Sequence, residues 1–190
     1  MNPVVKSFSA IMIAATMLFA GTVSAQSNGN PSIPRVAAAA NDSGAWAGLL
    51  DEFNDALQAD YLYLRKGAAT NTLAFSGPFT VFAPSNGAFK ALKQTLACNG
   101  LTMADVPDIV RTTLFSHATS GRLYAADVVA ASEVTMASGV TFMQSGGVIT
   151  DAVGQKANIL VTDIEASNGV IHIIDTVLLP VDLGLSACGS

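Results

Sequence analysis

Ser167–Pro180, SNGVIHIIDTVLLP, is the stretch that decides the fold of this chain. Asn-Gly tolerates the positive φ angles of a two-residue hairpin turn, and the β-branched residues after it favour a strand. The strand is predicted to end at Pro180, which has no amide hydrogen. Nearly every position from Val170 to Leu179 is apolar, so both faces should be buried and the strand should lie inside the sheet.

The residues before this stretch form a β-rich region. Alternating apolar residues and glycine-containing turns predict strands at Val134–Ala137, Val140–Met143 and Val148–Thr150. A further strand, Ala157–Glu165, is predicted to pair with the opening strand across Asn168-Gly169. Counting back through that turn places Glu165 opposite His172, which predicts an ion pair across the two strands.

Helical patterns fill the first half of the chain. One amphipathic helix is expected from a cap at Asp42 or Ser43, followed by a shorter helical piece. Ser85 is predicted to cap a second helix, and a third is expected over Thr102–Ser116, with Thr102 and Asp105 as a capping pair. Helices first and a compact, mainly antiparallel β-sheet second make an α+β fold. The apolar stripes of the first two helices are Trp46, Leu49, Leu50, Phe53 and Leu57, and Phe89, Leu92 and Leu96.

The N-terminus has the pattern of an export signal. Lys6 is followed by the uncharged run Ala10–Ala20 and by Val23-Ser24-Ala25, which is small at both positions that a signal peptidase recognises. We therefore expect a cleaved signal peptide over residues 1–25, a flexible leader over 26–42, one domain over 43–183 and a tail over 184–190. The product should be secreted, periplasmic or extracellular, without membrane insertion.

Charge and cysteine content narrow the function. The net charge of −5 argues against nucleic acid and anionic lipid as partners, because both need clustered Lys and Arg. Cys98 and Cys188 are the only two cysteines, and an even pair in an exported chain predicts a disulfide. The alternative is a buried thiol and an unordered tail.

The sequence carries no motif of reaction chemistry. It has no Gly-x-Ser-x-Gly elbow, phosphate loop, His-x-x-x-His or Cys-x-x-Cys pair. We therefore expect no catalytic residue, metal site or cofactor. His117, at the end of a helix, is expected to bond backbone groups that the turn leaves unpaired, and His172 and Asp175 are also expected to be structural. A pH switch at His172 is the functional alternative.

Three motifs carry a family resemblance. Gly77–Phe89 (GPFTVFAPSNGAF) resembles the first signature of the fasciclin (FAS1) domain, and the opening stretch resembles its second signature. Between them, Leu114–His117 with Gly121–Tyr124 is similar to the middle motif of the family. The resemblance extends from Ser43 to Leu183.

The resemblance implies a secreted, single-domain, non-catalytic adhesion or interaction module. Its partner would be a cell-surface or matrix protein or a polysaccharide, bound by a monomer through weak multivalent contacts. In animal adhesive members an Asp-Ile dipeptide before the second signature is implicated in integrin recognition, and Asp163-Ile164 occupies that position. Adjacent strand residues point to opposite faces, so we expect Asp163 as the contact and Ile164 as core unless the strand bulges. Glu165 and Asn168 complete the candidate contacts.

A carrier is the alternative function. It would hold a small apolar or sugar ligand between helices and sheet, in a pocket lined by Trp46, Tyr61 and Tyr63.

Overall fold

The computed structural model describes residues 31–42, 48–63 and 78–186, and their side chains except those of residues 40–42, 59–63 and 107–110. The predicted signal peptide, Trp46, Cys188 and the side chains of Tyr61 and Tyr63 lie outside what is described. No helix within these ranges is long and apolar enough to cross a bilayer.

The described residues form five α-helices and seven strands. The helices are α1 (Ile33–Asp42), α2 (Asp51–Tyr63), α3 (Asn86–Cys98), α4 (Pro107–Phe115) and α5 (Ala125–Ala130), with a 3-10 turn at Met103–Asp105. The strands are β1 (Phe79–Pro84), β2 (Ala118–Ser120), β3 (Glu133–Thr135), β4 (Thr141–Ser145), β5 (Val148–Thr150), β6 (Lys156–Ala166) and β7 (Gly169–Ile174). The predicted α+β class is confirmed.

The strands make one sheet in the order β2-β1-β7-β6-β5-β4-β3. The pair β1–β7 is parallel and the other pairs in this order are antiparallel, which confirms a mainly antiparallel sheet. Strand β7 lies between β1 and β6, and all six of its residues are buried. The prediction that the decisive strand is covered on both faces is therefore confirmed.

The two faces of the sheet pack into two different cores. Ile171 and Ile173 of β7 point to the face covered by the helices, where they join Phe53 and Phe89. Ile174 belongs to the cluster on the other face, which includes residues from most of the strands and from α5. Because side chains alternate between the two faces along β7, this one strand contributes residues to both cores. The other members of the second cluster are Phe82, Val128, Val134, Met136, Phe142, Ile149, Ala157 and Leu178.

The two edge strands of the sheet lie side by side. The Ala137 amide, just after β3, donates to the Ala118 carbonyl of β2 over 2.7 Å. The Thr119 hydroxyl donates to the Thr135 carbonyl over 2.6 Å. The sheet therefore curls far enough for its first and last strands to meet.

Strand β7 ends at Ile174 and not at Pro180 as predicted. Ile174 pairs with Pro84, where β1 also ends, so no neighbour continues the ladder on that side. On the other side, the carboxylate of Asp175 accepts from the Asn158 backbone amide over 2.8 Å and from the Asn158 side-chain amide over 2.7 Å. The prediction counted a buried apolar run as strand, although burial alone does not require pairing.

The chain after β7 stays buried because two side chains bind its amides. His117 Nε2 accepts from the Leu178 amide and Asp151 Oδ2 from the Leu179 amide, both over 2.9 Å. Asp151 is itself buried and also accepts from the amides of Val153 and Gln155. These bonds satisfy backbone donors that have left the sheet.

Helix α1 replaces most of the predicted flexible leader. Ile33 and Ala37 are fully buried in the core on the helix face. The Asn168 side chain, in the β6–β7 turn, accepts from the Ile33 amide over 2.9 Å. Alanine has the highest helix propensity and its small side chain allows close packing, so residues 37–40 favour this helix once the hairpin provides a cap.

Two other helix boundaries also differ from prediction. Helix α2 begins at Asp51, where Asn86 Oδ1 accepts from the Glu52 amide over 3.0 Å, so its cap comes from a distant residue. The helix expected over residues 102–116 is divided into the 3-10 turn and α4. Val106 has φ −130° and ψ 48°, since a residue before proline avoids the helical region.

Candidate functional site

Strand β6 bulges where the candidate contacts lie. Ile164 pairs with Ile171 and Val161 with Ile173, so β6 has one more residue than β7 in this interval. Asp163 has φ +61°, and it is the only non-glycine residue with positive φ in the described ranges. The extra residue and the positive φ are the geometry of a β-bulge, which turns a side chain away from its regular direction.

The bulge separates the four candidate contacts. Asp163 and Glu165 are exposed, whereas Ile164 is 8% exposed and belongs to the core on the helix face. Asn168 is half-buried and its side-chain oxygen caps α1. The two carboxylates are therefore accessible, and the side chain of Ile164 is not.

A segment from another part of the chain, Gly121–Ala125, crosses the hairpin beside these carboxylates. The Ala125 amide donates to Asp163 Oδ1 over 2.8 Å. The Tyr124 hydroxyl donates to Glu165 Oε1 over 3.3 Å, and Tyr124 is 37% exposed. We call Tyr124, Asp163 and Glu165 the Tyr124 patch: one aromatic ring and two carboxylates at the surface.

His172 lies beneath the patch and makes contacts to backbone. Its Nδ1 accepts from the Asp163 amide over 3.2 Å, which leaves Nε2 to donate to the Leu123 carbonyl over 2.8 Å. The Phe82 ring stacks on it at 5.4 Å between centroids. Burial lowers the pKa of His172, and the Leu123 bond and the Asp163 charge oppose that shift only in part. His172 is therefore neutral at pH 7.

The predicted ion pair between Glu165 and His172 is wrong. Ala166 pairs with Gly169, so the turn residues are Ser167 and Asn168, one position earlier than counted, and Glu165 pairs with Val170. The bulge then places Asp163 nearest to the imidazole, 3.9 Å from Oδ1 to Nδ1. No regular count along β6 could have included the bulged residue.

Arg122 holds the hairpin turn, a role that the sequence did not reveal. Its guanidinium donates to the carbonyls of Ala166, Ser167 and Gly169, at distances of 3.0, 2.6 and 2.8 Å. Its place in the Gly-Arg-Leu-Tyr motif was the available signal. Every residue has a backbone carbonyl, so no residue type in the sequence identifies the carbonyls that Arg122 binds.

His117 and Asp175 also bind backbone. His117 Nδ1 donates to the Thr113 carbonyl over 2.6 Å, and its Nε2 accepts from Leu178. Burial lowers the pKa of His117 to about 4, although the bond to Thr113 acts in the opposite direction. His117 is thus a neutral link between the end of α4 and the segment after β7.

Asp163 gives a direct test of the bulge. Asp163→Ala should lower the free energy of unfolding by about 1–2 kcal/mol, because alanine is strained at positive φ and leaves the Ala125 amide unpaired. Asp163→Asn should stay within about 0.5 kcal/mol of the parent, since asparagine tolerates this backbone region and keeps an acceptor oxygen. Urea unfolding measures both. Equal stabilities for the two variants would show that neither the strain nor the Ala125 bond matters.

A second candidate site is an apolar cleft on the helix face. Its cavity volume is about 30 Å³, and it is partly open to solvent. Thr113 lines it, and its buried hydroxyl has no hydrogen-bond partner among the described residues. Among these residues no group of three or more His, Cys, Asp or Glu could hold a metal ion. The other residues of the cleft are Phe53, Ala56, Pro84, Phe89, Leu92, Leu96, Met103, Val106, Leu114, His117, Val177, Leu179 and Leu183.

The C-terminal segment runs beside the end of α3. Asn99 Nδ2 donates to the Ser186 carbonyl and the Ser186 amide donates to Asn99 Oδ1, both over 3.0 Å. Residue 186 thus lies next to the neighbour of Cys98. Cys188 is outside the described ranges, so the disulfide stays a prediction that this pairing supports.

Comparisons with known proteins agree with this fold. The solved FAS1 domain pair from the insect cell adhesion molecule Fasciclin I matches 80% of this chain and 51% of that chain, with a TM-score of 0.59 and 17% identity. Protein sll1483 of Synechocystis is 38% identical over 109 residues, which are 57% of this chain and 58% of that protein. Protein sll1735 of the same organism is 33% identical over 110 residues, 57% of this chain and 78% of that protein.

A larger animal protein matches as well. Stabilin-2 of Mus musculus is 29% identical over 133 residues, 70% of this chain and 5% of that protein. This chain thus spans just over half of sll1483 and a small part of Stabilin-2. Fasciclin domains are in general non-catalytic modules of adhesion or interaction, typically extracellular or periplasmic. The Fasciclin domain family model matches residues 55–180, and the chain belongs to that family.

Proposed function

We propose that this chain is an exported, non-catalytic interaction module that binds its partner through the Tyr124 patch. Family membership supports a role in adhesion or interaction. The observation that carries the choice of surface is the juxtaposition of an exposed tyrosine with two exposed carboxylates at the bulge, with 3.3 Å between Tyr124 Oη and Glu165 Oε1. The partner is a cell-surface or matrix protein or a polysaccharide.

The chemistry of the patch suits a basic or hydroxyl-rich partner. Asp163 and Glu165 can accept charge-assisted hydrogen bonds from Lys or Arg, or bonds from sugar hydroxyls. The tyrosine ring can pack against an aliphatic or cationic group. The patch is also fixed in place, because the Ala125 amide and the Tyr124 hydroxyl bind its carboxylates. A fixed surface loses little entropy when the partner binds.

The mode of action is weak, multivalent contact by a monomer outside the cell. The signal peptide proposed for residues 1–25 supports export. A single small patch gives low affinity, so useful retention would come from many copies on one surface.

The test is to immobilise the purified chain and measure retention of cells, matrix proteins and neutral polysaccharides. Glu165→Gln and Asp163→Asn should each reduce retention by about three- to tenfold, since each removes one charge from the contact. Glu133→Gln is the matched control, because Glu133 is also an exposed strand carboxylate but lies on β3. Retention no higher than that of an unrelated acidic domain would rule out adhesion, and an equal loss in the control would place the contact elsewhere.

A carrier function is the second candidate. The pocket predicted from Trp46, Tyr61 and Tyr63 falls on side chains outside the described set. The apolar cleft on the helix face is the observation that favours a carrier, because ligand pockets are mostly apolar with few polar groups.

A further inference from the structure

We propose that protonation of His172 flips the peptide between Thr162 and Asp163 and pairs the Asp163 carboxylate with the imidazolium, so that acid neutralises one of the two carboxylates of the Tyr124 patch. The change of structure follows from the bulge alone, and only its effect on a partner rests on the proposed function. The pH switch that the sequence left open at His172 thereby has a structural mechanism.

The hydrogen bonds of His172 determine where an added proton goes. Nε2 donates to the Leu123 carbonyl over 2.8 Å, so only Nδ1 can accept a proton. Nδ1 already accepts from the Asp163 amide over 3.2 Å. After protonation two N–H groups would face each other, and a buried donor without an acceptor is destabilising. The Asp163 amide must therefore turn away from the ring.

A flip of the peptide between Thr162 and Asp163 removes this conflict. It exchanges the directions of the N–H and the C=O, so the Thr162 carbonyl replaces the Asp163 amide in front of Nδ1. It also carries the φ angle of Asp163 from +61° to about −120°, which is ordinary β backbone. Both residues lie between two register pairs of β6 and β7, so those pairs can stay in place. The flipped form relieves the strain of positive φ and binds the proton more tightly, and acid therefore shifts the population toward it.

The Asp163 carboxylate compensates the charge of the imidazolium. Its Oδ1 is 3.9 Å from Nδ1, and its side chain is 40% exposed, whereas the side chain of His172 is fully buried. Burial lowers the pKa of His172 from 6.5, and the Leu123 bond and the Asp163 charge oppose that shift only in part. The patch therefore keeps both negative charges at pH 7, and the ion pair forms only below pH 6.5.

The other titratable groups around His172 have to be separated from it. Strand β1 presents the Phe82 ring, which stacks on the imidazole, and carries no titratable residue. The titratable residues that the remaining neighbouring elements place near the bulge are Asp163 and Glu165 on β6, Arg122 and Tyr124 on the crossing segment, and Asp127 at the start of α5.

The experiment is an NMR titration of the ¹⁵N-labelled full chain from pH 7.5 to pH 5, which follows the ring nitrogens of His172 and the amides of Asp163 and Ala125. The Ala125 amide donates to Asp163 Oδ1 and so reports movement of the carboxylate. Both amides should shift with the same midpoint as the ring, below pH 6.5. In Asp163→Asn the midpoint should move to lower pH, because the charge that favours the proton is gone. In His172→Gln neither amide should shift at that midpoint.

Two controls assign the transition to His172. Glu165→Gln should keep it, because this variant removes the other carboxylate of the patch. The Leu178 amide, which donates to His117, should not move at the same midpoint, because the pKa of His117 is about 4. Amides of Asp163 and Ala125 that stay unchanged while His172 titrates would overturn the proposal. So would equal midpoints in Asp163→Asn and the parent, or a His172 that is protonated only when the whole domain unfolds.

Binding of the peptide nona-arginine tests the effect on a partner, since arginine keeps its charge throughout this pH range. The parent should bind it about threefold more weakly at pH 5.5 than at pH 7, because the patch then has one net negative charge in place of two. His172→Gln should bind it equally at both pH values. An NMR transition without this loss of binding would support the switch and contradict the proposed role of the patch.

Discussion

Gly169→Ala is expected to lower the free energy of unfolding by about 4 kcal/mol or more, the largest effect of any change proposed for this chain. A Cβ at this position would overlap the Phe79 carbonyl oxygen and lie 2.6 Å from Ile33 Cδ1. The Ile33 side chain can rotate away, but the Phe79 carbonyl belongs to the paired strand β1. Strands β1 and β7 would have to move apart, and chemical unfolding in urea would measure the cost.

The matched control is Gly87→Ala. A Cβ there would lie 3.6 Å from Ser85 Oγ, which is an ordinary contact, and the residue is in the first turn of α3. Alanine favours a helix over glycine, so this variant should be as stable as the parent or more stable by up to about 1 kcal/mol. If Gly169→Ala unfolded at the same urea concentration as the parent, the close approach of β1 to Gly169 would not exist in solution.

Acidification from pH 7 is expected to weaken the fold through His117. Its pKa falls from 6.5 to about 4 on folding because it is buried. Between these two pH values His117 is protonated in the unfolded chain and neutral in the folded chain. The contribution of His117 to the free energy of unfolding is fully present above pH 6.5 and is lost as the pH falls towards 4. The loss from this residue should reach about 2 kcal/mol at pH 5 and about 3 kcal/mol near pH 4. Urea unfolding across this range measures it.

His117→Gln separates this contribution from other titrating groups. The variant should be less stable than the parent at pH 7, because the amide cannot reproduce both backbone bonds, but its stability should depend less on pH between 7 and 5. His172 is also buried with a lowered pKa and should supply the remaining slope. A parent whose stability is constant from pH 7 to pH 5 would show that neither imidazole is held neutral.

The central strand could be predicted from sequence because its signal is compositional. Isoleucine and valine at successive positions can only be accommodated where both faces are covered, and β7 is. The prediction that Gly169 is a turn residue is wrong. Gly169 is absent from the glycines with positive φ, and the turn itself is Ser167-Asn168. Gly169 has no side chain because another backbone comes too close, and that neighbour is distant in sequence.

Helix boundaries were harder to predict because their caps are not local. The Asn168 side chain caps α1 from the other end of the domain, and Asn86 caps α2 from the start of α3. Local rules instead predicted a flexible leader where α1 lies, and a cap at Asp42 or Ser43 for the helix that begins at Asp51. The capping pair of Thr102 and Asp105, three residues apart, was predictable and is present.

The candidate site was partly accessible to sequence reasoning. Alternation placed Ile164 in the core and left Asp163 outside, and the structure has this arrangement. The third member of the patch, Tyr124, lies about 40 residues away along the chain and reaches Glu165 only through the fold. Its role could not be read from β6 because nothing in that strand encodes which segment crosses it.

The meeting of the two edge strands has a consequence for recognition. Many peptide-binding domains capture an extended segment by adding it to an exposed strand edge. Here the Ala118 carbonyl already accepts from the Ala137 amide, so the free edges of β2 and β3 face each other. Copies of this domain should therefore not associate through backbone pairing of their edge strands, even at high density on a surface. Selectivity then rests on side chains, which can diverge between relatives while the sheet stays the same.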